Sequence, residues 1–387
     1  MNERFIETDA DLSVLASELL SQDRIAFDVE ADGLFRYKAR LCTVQLATTE
    51  FVAVVDTLRV RDLAPLAAVF ASETVMKVVH DASFDARMLR DAGLPLRNLF
   101  DTSIAVRFLG DAQAGLASVL EKRLGVVVSK EFQKDDWGRR PLSDAQLAYL
   151  ANDVRHLLPL ADLLHEELLA KNIAAEVSEE AAYLLHRVAE EVHEEEAPRP
   201  LWTRVKGAVE LREPSRAVLR ELCIAREEEA EERDVPSFKV IGNDALLAIA
   251  KKRPKSQPEL VRVVGAGALR VHTFSIRILD AIRRGESAGT VPAEELAPPR
   301  PAGYSPELRN LLKARDRALS TWRKATATER GVDAQVVLPG HCLHDIVDLG
   351  PASVADLSAV PGLGKFRVER DGAAIVAAIQ NVDLQPA

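Results

Sequence analysis

Asp28 and Glu30 stand one residue apart at the end of an apolar run, in RIAFDVEADG at 24–33. Side chains at i and i+2 on a strand point to the same side of the sheet, so the two carboxylates would be neighbours. Neighbouring carboxylates repel unless a cation lies between them. The pair therefore reads either as part of a metal site or as a polar strand end entering a turn at Asp32-Gly33. Other acids could join it. Asp81 and Asp85 lie in KVVHDASFDARML, and Asp153 lies in AQLAYLANDVRHLLPL. On a helix Tyr149 and Asp153 are i and i+4 and share one face. Ala148, Leu150, Ala151, Val154, Leu157 and Leu158 suffice to pack that helix without them. The strand pair, one Asp from a helix start and one from a later helix would form a cluster of hard oxygen ligands. Such a cluster suits Mg²⁺ or Mn²⁺ rather than zinc. Two such ions about 3.5–4 Å apart serve phosphoryl hydrolysis, one activating the attacking water and the other steadying the leaving oxygen.

These residues need elements to carry them. RIAFDVE, RLCTVQLAT and FVAVVDT read as three consecutive strands rich in β-branched residues. A helix around LAPLAAVFAS, a short strand KVVH and an amphipathic helix SFDARMLRDAG follow, the last closed by Gly93. Further helices are expected over about 101–110, 115–124 and 143–170. Strands first and then alternation with helices predict an α/β domain with a mixed sheet. Residues 174–200 are strongly acidic and read as a helix leading into a linker. The rest is nearly all helical and contains a repeat. ELVRVVGAGALR at 259–270 is matched by ADLSAVPGLGKFR at 355–367, each flanked by helices. The expected division is 1–172 for the α/β domain, 173–207 for the acidic helix and linker, 208–288 and 304–387 for two small all-α units, and a Pro/Ala/Glu-rich linker over 289–303.

Bulk properties bound the partners. The chain has 387 residues and a formal net charge of −10. The charge is uneven, with a balance of −13 over 1–200, +7 over 201–330 and −4 over 331–387. A basic middle on an acidic first half is compatible with polyanion binding by one part, or with scatter between solvated helix faces. No apolar run reaches the length of a membrane span, and the first residues lack a secretory h-region. Cys42, Cys223 and Cys342 form no CxxC pair, so a reducing cytoplasm is the expected compartment.

The order D-x-E, H-x4-D and Y-x3-D resembles the tyrosine subclass of the DEDD 3′→5′ exonucleases, specifically the ribonuclease D family. Gln45 in TVQLA, LFDTSIAVRFLG at 99–110, GLASVLEKRLGV at 115–126 and SKEFQKDDWGRRPLSDAQLAYLANDV at 129–154 extend the resemblance. The duplicated helical unit resembles the helicase-and-RNase-D C-terminal (HRDC) domain. The resemblance implies a ribonuclease H-like mixed-sheet exonuclease domain followed by two HRDC-like domains. It implies that Asp28, Glu30, Asp85 and Asp153 hold two Mg²⁺ or Mn²⁺ ions, with Asp81 left out because the family's acid lies five residues after His80. It implies that Tyr149 orients or deprotonates the water and that Glu30 also touches the terminal 3′-hydroxyl. Gln45, His80, Phe84, Lys130, Trp137 and Arg140 become candidate substrate contacts. The implied activity is hydrolysis of RNA from the 3′ end with release of 5′-mononucleotides, on tRNA precursors and other structured RNAs. Val29, where the family often has Thr, and the loop ADGLFRY depart from the family pattern and bear on nucleotide preference.

Other features carry two readings each. Gly265-x-Gly267 and Gly362-x-Gly364 are phosphate-binding turns or tight helix connections, the second being favoured. AKKRPKSQ at 250–257, with Arg262 and Arg270, is the expected RNA contact or a solvated basic turn. HCLH at 341–344 lacks a second ligand pair at zinc-finger spacing. Two rival functions are a DNA 3′→5′ exonuclease of the same fold and a non-catalytic RNA-binding protein.

Overall fold

Runs of β-branched and aromatic residues pack well on a buried pleated surface. In this chain they build the six strands β1 (Asn2–Ile6), β2 (Arg24–Ala31), β3 (Leu41–Ala47), β4 (Phe51–Asp56), β5 (Met76–Val79) and β6 (Leu99–Asp101). The structure, a computed structural model, describes residues 2–195, 200–265, 272–296 and 305–383. Arg270, Gly267 and residues 297–303 of the linker lie outside the described residues. The strand order is β1-β4-β3-β2-β5-β6. β3 pairs antiparallel with β2 and β4, and the remaining neighbours are parallel. This is the expected mixed sheet, with two strands added. β1 begins with the polar Asn2-Glu3-Arg4 and β6 is three residues long, so neither shows a strand pattern of its own.

Eight helices accompany this sheet: α1 (Asp9–Leu20), α2 (Ala64–Ala71), α3 (Ser83–Asp91), α4 (Thr102–Phe108), α5 (Leu116–Leu124), α6 (Asp144–Arg155), α7 (Leu157–Ala170) and α8 (Ala174–Glu195). The alternation of β2 decides the layers. Ile25, Phe27 and Val29 face α1 and α2, where Phe27 meets Phe70 edge-on at 5.2 Å. Ala26 faces the other layer, with Val154, Leu157 and Leu158. Asp28 and Glu30 follow Ala26 on that second face. The single helix expected over 143–170 is two helices parted at His156. Pro159 explains the break, since it has no N–H to give to the Arg155 carbonyl and its ring would strike that carbonyl in a continuous helix.

The described chain falls into two compact units, one formed from parts of 1–31, 41–192 and 304–387, the other from parts of 32–40 and 193–303. The second unit holds α9 (Ser215–Glu232), α10 (Ser237–Val240), α11 (Asn243–Lys252), α12 (Gln257–Val264) and α13 (His272–Ala288) around Leu219, Leu222, Ile249 and Ile278. The loop 32–40 belongs to it. Asp234 accepts from the Tyr37 N–H at 3.2 Å and pairs with Arg36 at 3.3 Å, and Lys239 lies 4.2 Å over the Phe35 ring.

The later helical copy, α14 (Pro306–Arg330), α15 (Ala334–Val337), α16 (Gly340–Leu349) and α17 (Lys365–Asp383), packs within the first unit against α8. Glu176 takes Arg330 and Arg370, and Glu179 takes Arg367 and accepts from the Phe366 N–H at 2.6 Å. Tyr183 stacks on His341 with ring centres 4.0 Å apart. Gly362 and Gly364 have positive φ, and a Cβ on either would collide with Tyr183 or Glu179. These glycines serve close helix approach, the structural reading of that GxG. His341 and Cys342 are likewise spoken for, Cys342 being buried and donating to the Pro361 carbonyl. No helix among the described residues is long and apolar enough to cross a membrane.

Candidate active site

β2 lies inside the sheet, between β3 and β5, and presents Asp28 and Glu30 on the face covered by α6. Their partners across the antiparallel ladder are Gln45 and Thr43 on β3. The register slips just after Glu30, where Ala31 pairs with Leu41 and leaves Cys42 as an extra residue. Such a bulge bends the ladder and re-aims the side chains beside it. Gln45 is fully buried and donates to Thr43 Oγ1 at 2.7 Å rather than reaching into open space.

Asp85 arrives on the first turn of α3 and is 5% exposed. The turn ahead of it is fixed from β6. Asp101, itself fully buried, accepts from the N–H groups of Asp81 at 3.0 Å, Ala82 at 2.9 Å and Ser103 at 2.8 Å. Asp81 takes a left-handed conformation, φ 68°, in that turn. Sequence reasoning passed over Asp101. Its signal is the D-T-S that ends a short strand and caps α4. Asp101→Ala should cost about 2–4 kcal/mol, because several buried N–H groups lose a charged acceptor at once. Urea unfolding would measure it.

α6 brings Tyr149 and Asp153. A capping box between Ser143 and Gln146 starts this helix. Tyr149 stands one turn before Asp153 on the same helix face, and its ring packs against Phe132 at 5.7 Å and Trp137 at 5.9 Å. Trp137 is 1% exposed, so it is a wall for Tyr149 and not a surface for a base. Arg140 is similarly committed, pairing with buried Asp56 at 2.5 Å and donating to the Cys42 carbonyl at 2.9 Å.

Asp28, Glu30 and Asp153 each offer a carboxylate oxygen within 4.8 Å of the others. Asp85 lies beyond that trio but close enough to repel Asp28 and Glu30. Burial pushes Asp28 up to about 7, and burial with repulsion from the neighbouring acids pushes Glu30 up to about 9 and Asp153 to about 8. Asp85 is raised well above its ordinary value for the same reasons. Burial and the same acids raise Tyr149 and keep its proton in place. None of the four acids has an ion pair among the described residues. Only oxygen donors converge here, and they need positive charge to be anionic together, so the residues fit a hard divalent cation.

A cleft of about 470 Å³ opens beside the acids, lined by Asp28, Asp153, His80, Asp81, Arg107 and Gln133 among others. His80 spends both ring nitrogens inside the fold, on Thr102 Oγ1 at 2.8 Å and the Ala114 carbonyl at 2.7 Å. Phe84 is 50% exposed next to Asp85, and Lys130 is exposed in the loop before α6. Arg107 was not singled out in the sequence, although it is the one charged residue in SIAVRFLG.

The 3′–5′ exonuclease family model matches residues 4–169, and the HRDC domain model matches twice, at 215–282 and 313–379. Ribonuclease D of Escherichia coli K12 is 30% identical over 302 residues, 77% of this chain and 78% of that one. Ribonuclease D of Desulfotalea psychrophila is 31% identical over 67% of this chain and 69% of its own. The chain belongs to the ribonuclease D family. Ribonuclease D of Pseudomonas paraeruginosa, 29% identical, aligns over 98% of both chains. The crystal structure of E. coli RNase D, described as an exoribonuclease involved in structured RNA processing, superposes with a TM-score of 0.70 at 26% identity, covering 98% of this chain and 99% of that one. The catalytic core of RRP6 from Trypanosoma brucei gives 0.62 at 28% identity over 74% of this chain and 80% of that one. As a ribonuclease D the chain is a 3′–5′ exoribonuclease that uses divalent metal, with HRDC domains after the nuclease domain.

Proposed function

We propose that this ribonuclease D removes nucleotides singly from RNA 3′ ends, releasing 5′-mononucleotides, with two Mg²⁺ or Mn²⁺ ions held by Asp28, Glu30, Asp85 and Asp153. The observation that carries the reading is the carboxylate trio within 4.8 Å, with Tyr149 one turn from Asp153 on α6. Bound there, the cations would supply the charge that acidifies a water and offsets the developing charge on the leaving oxygen. Tyr149, holding its proton and clasped between two aromatic rings, orients the water and Asp153 rather than acting as a base. Tyr149→Phe should therefore lower kcat by about 10–100-fold with KM within about twofold, the cost of a misplaced water. Single-turnover and steady-state rates on one labelled RNA would separate the two constants. Glu30 also meets the terminal 3′-hydroxyl in this reading, Phe84 is placed to stack on a base, and Lys130 to meet a phosphate.

The substrates proposed are tRNA precursors and other structured RNAs. Lys251, Lys252 and Lys255 in the second unit, and Lys313, Arg317 and Lys324 on α14, are exposed and without an ion pair among the described residues. They would supply general affinity that falls with salt. A reducing cytoplasm fits three cysteines that are free and buried. The test is a 5′-labelled tRNA precursor incubated with Mg²⁺ or with EDTA, beside a DNA oligonucleotide of matched sequence. A ladder shortening by single nucleotides, on RNA and only with Mg²⁺, is expected. Preference for the DNA would favour the rival exonuclease, and no metal-dependent shortening of either would sink the reading.

A further inference from the structure

The catalytic cleft must admit a polyanion, yet Asp28, Asp81 and Asp153 line it. Arg107 on α4 is the one lysine or arginine among the described residues of that lining. It is exposed, its Nε donates to the Ser103 carbonyl at 3.1 Å, and it has no ion pair among the described residues. Arg107 also lines a second hollow of about 670 Å³, beside the same helix, together with Ser83, Arg87, Arg187, Tyr183 and His341. That hollow runs between α3, α4 and α8 and reaches the later HRDC copy, all within one compact unit. Of its acids, Glu191 pairs with Arg87 at 2.9 Å, and Glu180 lies near enough to Arg367 and Arg107 to feel the charge of both. Arg107 thus lines both depressions, and among the described residues it is the one lysine or arginine lining the cleft beside the acids.

We propose that Arg107 is a substrate-positioning residue that grips a backbone phosphate of the RNA upstream of the scissile linkage. The strand leaving the active site then crosses α4 and continues along the hollow beside α8. This rests on the exonuclease reading above. A planar fork with several donors suits a phosphate better than a lysine ammonium does. A contact to phosphate positions without reading sequence, so it acts on every RNA alike. It also lies beyond the reach of a substrate with a single phosphodiester.

The test compares Arg107→Ala and Arg107→Lys with the parent on a dinucleotide and on a 12-nucleotide RNA, across a salt series. For Arg107→Ala the expected result is a KM for the longer RNA raised about tenfold, with kcat within about twofold and an unchanged dinucleotide KM. The slope of log(1/KM) against log salt should fall by about 0.7, the share of one phosphate contact on a single strand. Arg107→Lys should recover part of the loss. Half-saturation by Mg²⁺ should be unchanged, since Arg107 is not among the acids. Equal losses on both substrates, an unchanged salt slope, or a fall in kcat alone would overturn the proposal. A parent inactive on both RNAs would instead refute the nuclease reading itself.

Discussion

Asp28→Asn is expected to lower kcat on RNA by about 10³–10⁵-fold while leaving the fold intact. Asp28 is the hub of the cluster, since its charge acts on Glu30, Asp85, Asp153 and Tyr149 alike. Removing its charge would deprive bound cations of the proposed ligand whose charge reaches all the other acids. Metal-borne charge stabilisation is worth several kcal/mol in a hydrolytic transition state, and each 1.36 kcal/mol is tenfold in rate. The side chain keeps its size and its place opposite Gln45 on β3, so packing is preserved. Single-turnover rates at saturating Mg²⁺ would give the rate change, and titration calorimetry would give the lost metal affinity. A variant within tenfold of the parent would remove Asp28 from the site.

Glu30→Gln should raise the melting temperature of the metal-free protein at pH 8 even as it abolishes activity. The folded protein holds the Glu30 proton up to about 9, whereas the carboxyl ordinarily releases it near 4.5. Between those values the folded state binds more protons than the unfolded one, so stability falls as pH rises through the window. The amide has no such proton to lose. The parent in EDTA should thus melt progressively lower from pH 5 to pH 9, and the variant less steeply. Each kcal/mol of relieved repulsion should appear as about 2–4 °C. Adding Mg²⁺ should raise the parent more than the variant, because binding to the folded state alone is stabilising. Scanning calorimetry with EDTA or Mg²⁺ at several pH values would check it. An unchanged melting temperature in EDTA would mean that the acids are not strained without metal.

The juxtaposition of Asp28 and Glu30 could be read from the chain because it needs only the two-residue period of a strand. Tyr149 and Asp153 were similarly local, one turn apart on a helix. The choice between Asp81 and Asp85 was not local. It turns on a left-handed residue and on Asp101, which reaches the turn from a strand three residues long. Trp137 and Arg140 were read as substrate contacts from the family resemblance, but burial under Tyr149 and pairing with Asp56 are tertiary facts. Arg107 escaped notice for the converse reason. One arginine in a short apolar helix carries no motif, and its meaning comes from the two hollows that meet at it. Pro159 was visible, yet its power to split a helix was underweighted against a continuous apolar face.

The two helical repeats began from one pattern, but they have not aged alike. Arg367 of the later copy is wholly enclosed, with its charge answered by Glu179 of α8. Glu176 is equally enclosed and depends on Arg330 and Arg370 from that copy. Cutting the chain at the linker after residue 296 would strand those carboxylates without counter-charges on the flank of the nuclease. A gene that shed its final repeat would have to rewrite α8 at the same time, so the last eighty or so residues are less an appendage than a wall of the enzyme they follow.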